Sequence, residues 1–377
     1  MTHLSGPTAK QTHFLTFFSE LKDPRRTNKG NLQHLLSDIL FLTISAMLSG
    51  ASDWELVRTF GKSQLPWLRK FGTFKNGIPS TDTLERVFSA LDSKAFNDNF
   101  IKWISTIRKE IPNETIAIDG KTMRGAKPNN TCKNMPHIVS AFASTNGLCL
   151  GQVKVNDKSN EITAIPELLE LLAIKGCTVT IDAMGCQTDI AEKIISCKAD
   201  YILAVKGNQK NLKQAILDTV LLEKPCTTDV WQDFGHGRIE KRTCRAYDNL
   251  GYIEKASRWV GLNTIFVIDS LVENKSSGKT SSEQRLYISS LPANAAQLNI
   301  KTRKHWSIEN NLHWSLDVQF GEDRSRKHKG NVGENFNIIL KTVMTLLLND
   351  NTPKRSKNNK RLIAALDSEY REKLLNF

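Results

Sequence analysis

The sequence has no apolar run long enough to span a bilayer. Its longest, Ile39–Leu48, is broken by Thr43 and Ser45 and falls far short of the roughly 20 residues a membrane helix needs. The apolar stretch His13–Phe18 is followed at once by Glu20, Lys22 and Asp23 and has no basic lead-in, so it does not read as a signal peptide. Seven cysteines, all between Cys132 and Cys244, form no CxxC pair and no metal-finger spacing, which points to reduced thiols and a cytoplasmic home. There is no GxxxxGK[ST] or GxGxxG loop, so nucleotide hydrolysis is not expected. No serine or cysteine nucleophile with a partner base is recognisable.

Acidic residues are also short: 39 Asp and Glu face 52 Lys and Arg, a formal charge of +13. An excess of that size calls for an anionic partner. Nucleic acid is the commonest, with an anionic membrane surface or plain solubility as alternatives. Hydrophobic residues at 40% and charged residues at 24% are ordinary globular values, and 377 residues suffice for two or three domains.

The pattern from Phe14 to about Pro112 is helical. Leu36, Ile39, Leu40, Thr43, Ile44 and Leu48 recur at three and four residue spacing, as do Phe96, Phe100, Trp103, Ile104 and Ile107. Residues 1–112 therefore read as a helical N-terminal domain. After Pro112 the period changes to strands: Thr115–Ile118, then His137–Ser144 and Leu148–Val155 joined by the turn Asn146-Gly147, then Cys177–Ile181 and Tyr201–Val205. Helical patterns at Ile165–Leu172 and Ile190–Ile195 intervene, which makes a mixed α/β sheet. From Lys206 to about Ser290 the chain reads as an inserted β-rich segment, with strands at Arg238–Ala246, Thr264–Val272 and Arg285–Ser289. Ile300–Phe320 carries the stripe Ile308, Leu312, Leu316. A last helix at Val332–Leu348 closes a catalytic domain of residues 113–350, and 351–377 form a basic tail.

Two expected strands stop at carboxylates, Asp119 and Asp182. Ligands of open α/β sheets bind at the carboxyl ends of strands, so these acids are predicted to face one another, although Asp-Gly at 119–120 is equally a turn dipeptide. Facing carboxylates without Cys or His suit Mg²⁺ or Mn²⁺, and a pair of such ions can clamp both sides of a phosphodiester. Glu309 stands one position past Ile308, between His305 and His313 one turn either way and beside Trp306, Asn310 and Trp314. Such neighbours fit a lined cleft better than a solvated face.

Four segments, Ile118-Asp119-Gly120-Lys121-Thr122, Thr180 through Gln187, Ala204 through Gln209, and His305 through Trp314, together with Lys158 through Thr163, resemble the ISAs1 (H-repeat-associated) transposases of the IS4-like group. The resemblance runs from about Phe14 through Leu348. It implies an RNase H-like fold, a DDE triad at Asp119, Asp182 and Glu309 acting as metal ligands, and Mg²⁺ as cofactor with Mn²⁺ as substitute. It further implies terminal-repeat and target DNA as partners, a dimer or larger assembly on DNA, and a bacterial, nucleoid-associated setting. Where the wider group has an arginine four residues before the glutamate and a lysine seven after, this chain has His305 and Leu316. Candidates for DNA contact are Lys121, Lys206, Asn208, His236, Arg238, Arg242, Arg303, His305, His313, Arg324 and Arg326. An inactive DNA-binding relic and a nuclease without joining activity are the alternative readings.

Overall fold

The computed structural model describes residues 13–26, 32–125, 135–156, 159–235, 237–325, 329–350 and 355–375. The chain divides into two compact units, one of residues 1–108, 121–138 and 313–377, the other of residues 109–120 and 139–312. The first unit opens with six helices, α1 (His13–Phe18), α2 (Leu36–Leu48), α3 (Trp54–Ser63), α4 (Leu65–Leu68), α5 (Thr81–Ala90) and α6 (Ser93–Ile107). Their starts are set by local chemistry. The side chains of Asp53, Ser80 and Asp92 accept backbone N–H bonds from Leu56, Thr83 and Ala95, which supplies partners to donors the helix cannot satisfy itself. Trp54, Trp67 and Trp103 are buried among these helices, as core residues.

The second unit is built on one sheet. Its strands are β1 (Thr115–Thr122), β2 (His137–Ala143), β3 (Leu148–Lys154), β4 (Thr178–Ile181), β5 (Asp200–Val205), β6 (Thr227–Gly235), β7 (Arg238–Tyr247), β8 (Thr264–Asn274) and β9 (Thr280–Ser289), in the order β3-β2-β1-β4-β5-β9-β8-β7-β6. β1, β4 and β5 are parallel, and β5, β9, β8, β7 and β6 are antiparallel in turn. Ser144 N–H donates to Thr115 O and Met123 N–H to Pro136 O, so β2 runs antiparallel to β1. The order 3-2-1-4-5 with that one reversal is an RNase H-like sheet. Helices α7 (Glu161–Leu171), α8 (Thr188–Ser196), α9 (Lys210–Leu222) and α10 (Ala295–His305) complete the unit.

Two expectations are corrected here. β1 does not end at Ile118: it continues through Asp119-Gly120 to Thr122 because its outer edge stays paired with β2. The segment after Lys206 begins with a helix, α9, whose Leu212, Ala215, Ile216 and Thr219 are buried, and its four strands extend the same sheet through β9.

The first unit resumes after Leu312 with α11 (Val332–Leu348), α12 (Lys357–Leu366) and α13 (Ser368–Leu375). α11 packs against α2, α5 and α6 and is buried nearly all round, its polar Asn335, Asn337 and Lys341 included. The stretch that composition presents as a polar tail folds as two helices. Arg361 is buried and donates to the carbonyls of Met47, Ala51 and Gln319, and Arg371 is buried over Trp67.

Candidate active site

The last paired residues of the central parallel strands are Ile118 and Ile181, and Asp119 and Asp182 are the next residue on each. The two acids thus leave the β1–β4 ladder side by side. Asp182 also caps a short 3₁₀ turn, its carboxylate accepting the N–H of Met184 at 3.0 Å. Glu309 comes from beyond α10, which packs on β4, β6 and β7. There the helix widens into π-helical turns, Ile308–His313 and Ser315–Gln319, a rare form that is frequent at functional sites. Ile308 and Leu312 point into the core, which turns Glu309 outward. Asp119, Asp182 and Glu309 line one cavity of about 250 Å³ with Thr180, Lys206, Arg285, His305 and Trp306 among its walls.

The electrostatics of this cavity are unbalanced. Burial, followed by the neighbouring charges of Asp182, Glu161 and Glu309, raises the Asp119 carboxyl to about 7. Asp182 is raised too, by burial and by Glu161, against the opposing pull of the Met184 and Gly185 N–H groups and Lys206. Glu161, first residue of α7, is therefore a fourth acid in the field of the pair; the segment around it was recognisable, but nothing in the sequence brought it to the sheet. His305 shares a hydrogen bond between Nδ1 and Thr180 Oγ1 at 3.0 Å, and desolvation pushes it down to about 4, so it is neutral near pH 7.

The remaining candidates scatter. Lys206 lines the cavity, whereas His313 and Trp314 do not. Asn208 donates to Ala183 O at 2.7 Å, stitching together the loops that follow β4 and β5. Arg242 is buried, with Nε donating to Asn299 and Nη2 to Thr302, so it braces α10 against β7 and is withdrawn from any DNA surface. Arg303 lies 3.9 Å over the Trp231 ring and pairs with Asp233 and Glu240. Arg238 and Arg324 are exposed. His236 and Arg326 lie outside the described residues.

Lys121 is also engaged elsewhere. Its amine sits 2.5 Å from Asp317, 2.6 Å from Glu322 and 3.3 Å from Asp323, which leaves no free charge for phosphate. These three carboxylates are, among the described residues, the group whose oxygens approach within 4.8 Å of one another. The acids of the cavity are not drawn together to that degree.

In this RNase H-like sheet, Asp119 and Asp182 lie one residue past the last paired residues of β1 and β4, and Glu309 from a later helical turn shares their cavity. The chain belongs to the DDE transposase family: residues 111–347 match the model described as "Transposase DDE domain", and residues 15–104 match the one described as "DDE_Tnp_1-associated". It is 42% identical over 96% of its length, and 94% of the relative's, to "Putative transposase YncI" of Escherichia coli O157:H7. It is 40% identical over 93% of its length, and 94% of the relative's, to "H repeat-associated putative transposase YhhI" of Escherichia coli (strain K12). A solved structure titled as a piggyBac transposase synaptic complex with hairpin DNA aligns with 96% of this chain and 77% of that one, at 12% identity and a TM-score of 0.43. DNA is the substrate of this class, and its catalytic domains use divalent metals. Among the described residues no helix is long and apolar enough to cross a membrane.

Proposed function

We propose that Asp119, Asp182 and Glu309 are the metal-binding triad of a transposase that cleaves DNA at insertion-sequence ends and joins the freed 3′ ends to target DNA. The observation that carries this reading is the shared cavity of the three acids, with Asp119 raised to about 7 by burial and by its like-charged neighbours. That donor set fits a hard divalent cation. It is all oxygen, and the crowding of carboxylates is the condition such a cation relieves. Asp119, Asp182 and Glu309 would hold Mg²⁺, or Mn²⁺ in its place, which would supply Lewis-acid activation of the attacking hydroxyl and stabilisation of the leaving oxygen. The carboxylates act as ligands, so no covalent enzyme–DNA bond is required. In strand transfer the 3′-hydroxyl forms the new phosphodiester bond while the target's bond to its own 3′-oxygen breaks. Neutral His305, bonded to Thr180, holds the helix leading to Glu309 against β4. Residues 1–112 would read the element ends, and two ends require at least a dimer, acting in the cytoplasm on nucleoid DNA.

The test exchanges one oxygen ligand for sulfur. Asp182→Cys should be nearly inactive with Mg²⁺ and regain activity with Mn²⁺, while Asp182→Ala stays inactive in both. Cys186 is buried with its thiol pushed up to about 12, so it is a poor disulfide partner and reducing conditions suffice to exclude one. Asp189, exposed on α8, is the control whose Ala variant should cleave normally. Equal cleavage by Asp182→Cys and wild type in Mg²⁺ would sink the assignment.

A further inference from the structure

His305 in the cavity wall is neutral near pH 7, and the cavity has another source of positive charge. β5 and β9 pair antiparallel, with Ala204 opposite Tyr287 and Val205 opposite Leu286. One step further along that register, just past the end of β5, Lys206 faces Arg285. Both line the cavity that holds Asp119, Asp182 and Glu309, and they are the cationic side chains among its described lining residues.

Arg285 is held from three sides. Alternation along β9 puts Glu283, Arg285 and Tyr287 on one face, all of them in the cavity wall. Tyr287 is fixed by stacking on Phe266, with ring centroids 4.9 Å apart and planes 10° from parallel. The guanidinium lies 4.8 Å over the Trp306 ring. Its Nε and Nη2 each donate to Glu283 at 2.8 Å, a two-pronged carboxylate pairing of the geometry that suits phosphate equally well. Glu283 is 56% exposed, and a pair with an exposed partner is held weakly. The fork is thus oriented, desolvated on its aromatic side, and occupied by a group that a stronger anion can displace.

We propose that Arg285 is the phosphate-binding guanidinium of this site, steadied by Trp306, assisted by Lys206, and occupied by Glu283 when no DNA is bound. This rests on the reading of the cavity as the DNA-cleaving centre. A DNA phosphate beside the scissile bond takes the two N–H donors now on Glu283. The strand pairing of β5 with β9 thereby brings cationic side chains from the sheet extension to a cavity whose histidine is neutral.

Binding without metal separates this role from catalysis. A labelled duplex carrying the element's terminal repeat is titrated with the full chain in EDTA, by fluorescence anisotropy over a range of salt. Arg285→Gln should weaken binding about tenfold, the scale of a lost charge-assisted hydrogen-bonded contact, and flatten the slope of log affinity against log salt by about one unit. Glu283→Gln should do the reverse, tightening binding about threefold, because it removes the competing anion and keeps the guanidinium. A purely structural ion pair predicts that both substitutions weaken binding. An unchanged affinity and slope in Arg285→Gln, or binding by Glu283→Gln no tighter than wild type, would overturn the proposal. If Arg285→Gln does not fold, the sign of the Glu283→Gln effect decides alone. Failure here leaves the Mn²⁺ rescue of Asp182→Cys standing, and failure of that rescue leaves the sign of the Glu283→Gln effect readable.

Discussion

Two acidic clusters in this chain have opposite fates. Around Lys121, the carboxylates of Asp317, Glu322 and Asp323 close to within 4.8 Å of one another, Glu322 is buried and also takes a hydrogen bond from Asn337, and the amine touches all three. Burial alone would lower that amine, but Glu322 and Asp317 lift it above its ordinary value. Asp119, two residues earlier on the same strand, stands with Asp182 and Glu309 in a cavity whose nearest cations are held at its wall, and its carboxyl is raised instead. The difference is the cation. Where the chain supplies one in the middle of the acids, the cluster is a closed structural element; where it does not, the acids remain apart and the Asp119 carboxyl is raised to about 7, the crowding that a divalent ion would relieve. An acidic cluster that looks most like a metal site by distance alone is therefore the one already satisfied.

The largest test breaks the closed cluster. Lys121→Met removes the cation and leaves three carboxylates buried or half-buried together, which should cost about 3–5 kcal/mol, a fall in melting temperature of roughly 10 °C by calorimetry. A melting temperature within a degree of wild type would show that the cluster is no more than a surface feature, and the contrast would collapse.

The same measurement on Asp119 should move the other way. Its carboxyl titrates near 7 in the folded chain and near its ordinary 3.8 unfolded, so between those values the folded state holds more protons and stability falls as pH rises. Asp119→Asn removes that penalty. At pH 8 it should melt above wild type by roughly 5 °C, taking about 2 kcal/mol after allowance for partial exposure, and at pH 4 the two should coincide. Mg²⁺ at pH 8 should close part of the gap by stabilising wild type and leave Asp119→Asn unmoved. A gap that widens on acidification has the wrong sign and would remove Asp119 from the crowded set.

Much of the open site was readable in the sequence because its acids sit at changes of period. The runs Thr115–Ile118 and Cys177–Ile181 end at Asp119 and Asp182, and the stripe Ile308, Leu312, Leu316 is buried as its spacing implies, which fixes the side on which Glu309 emerges. What stayed hidden depends on partners remote in sequence. β1 continues past Asp119 because β2 still pairs with it, and an Asp-Gly dipeptide carries no trace of that. Arg285 enters the site only through the register of β9 on β5. Arg242 and Lys121 read as candidate DNA contacts until their acceptors, Asn299, Thr302 and the carboxylates after residue 316, are brought to them by the fold. Helix α9 was the avoidable miss, since Leu212, Ile216 and Thr219 carry a helical period that the β-rich reading of the segment passed over.

The smallest expected effect applies the same contrast to a pair of arginines on one strand. Arg238 and Arg242 both lie on β7, yet Arg238 is exposed at the strand's start while Arg242 is buried with hydrogen bonds to Asn299 and Thr302 on α10. Charge counting gives them equal weight as DNA contacts; burial does not. Arg242→Gln should lower stability by about 1.5 kcal/mol, through the loss of charge-assisted bonds that brace α10, and leave the salt dependence of end-DNA binding as it was. Arg238→Gln should leave the melting temperature alone and flatten the log affinity against log salt slope by about one unit, a few-fold change in affinity at fixed salt. Neutralising both should therefore change the slope by one unit and not two. A change of two units would mean that the Arg242 guanidinium reaches DNA, which requires β7 and α10 to part on binding. No change in either variant would place the β6–β7 end of the sheet away from the DNA altogether and leave recognition to the helices before Pro112 and to the cavity.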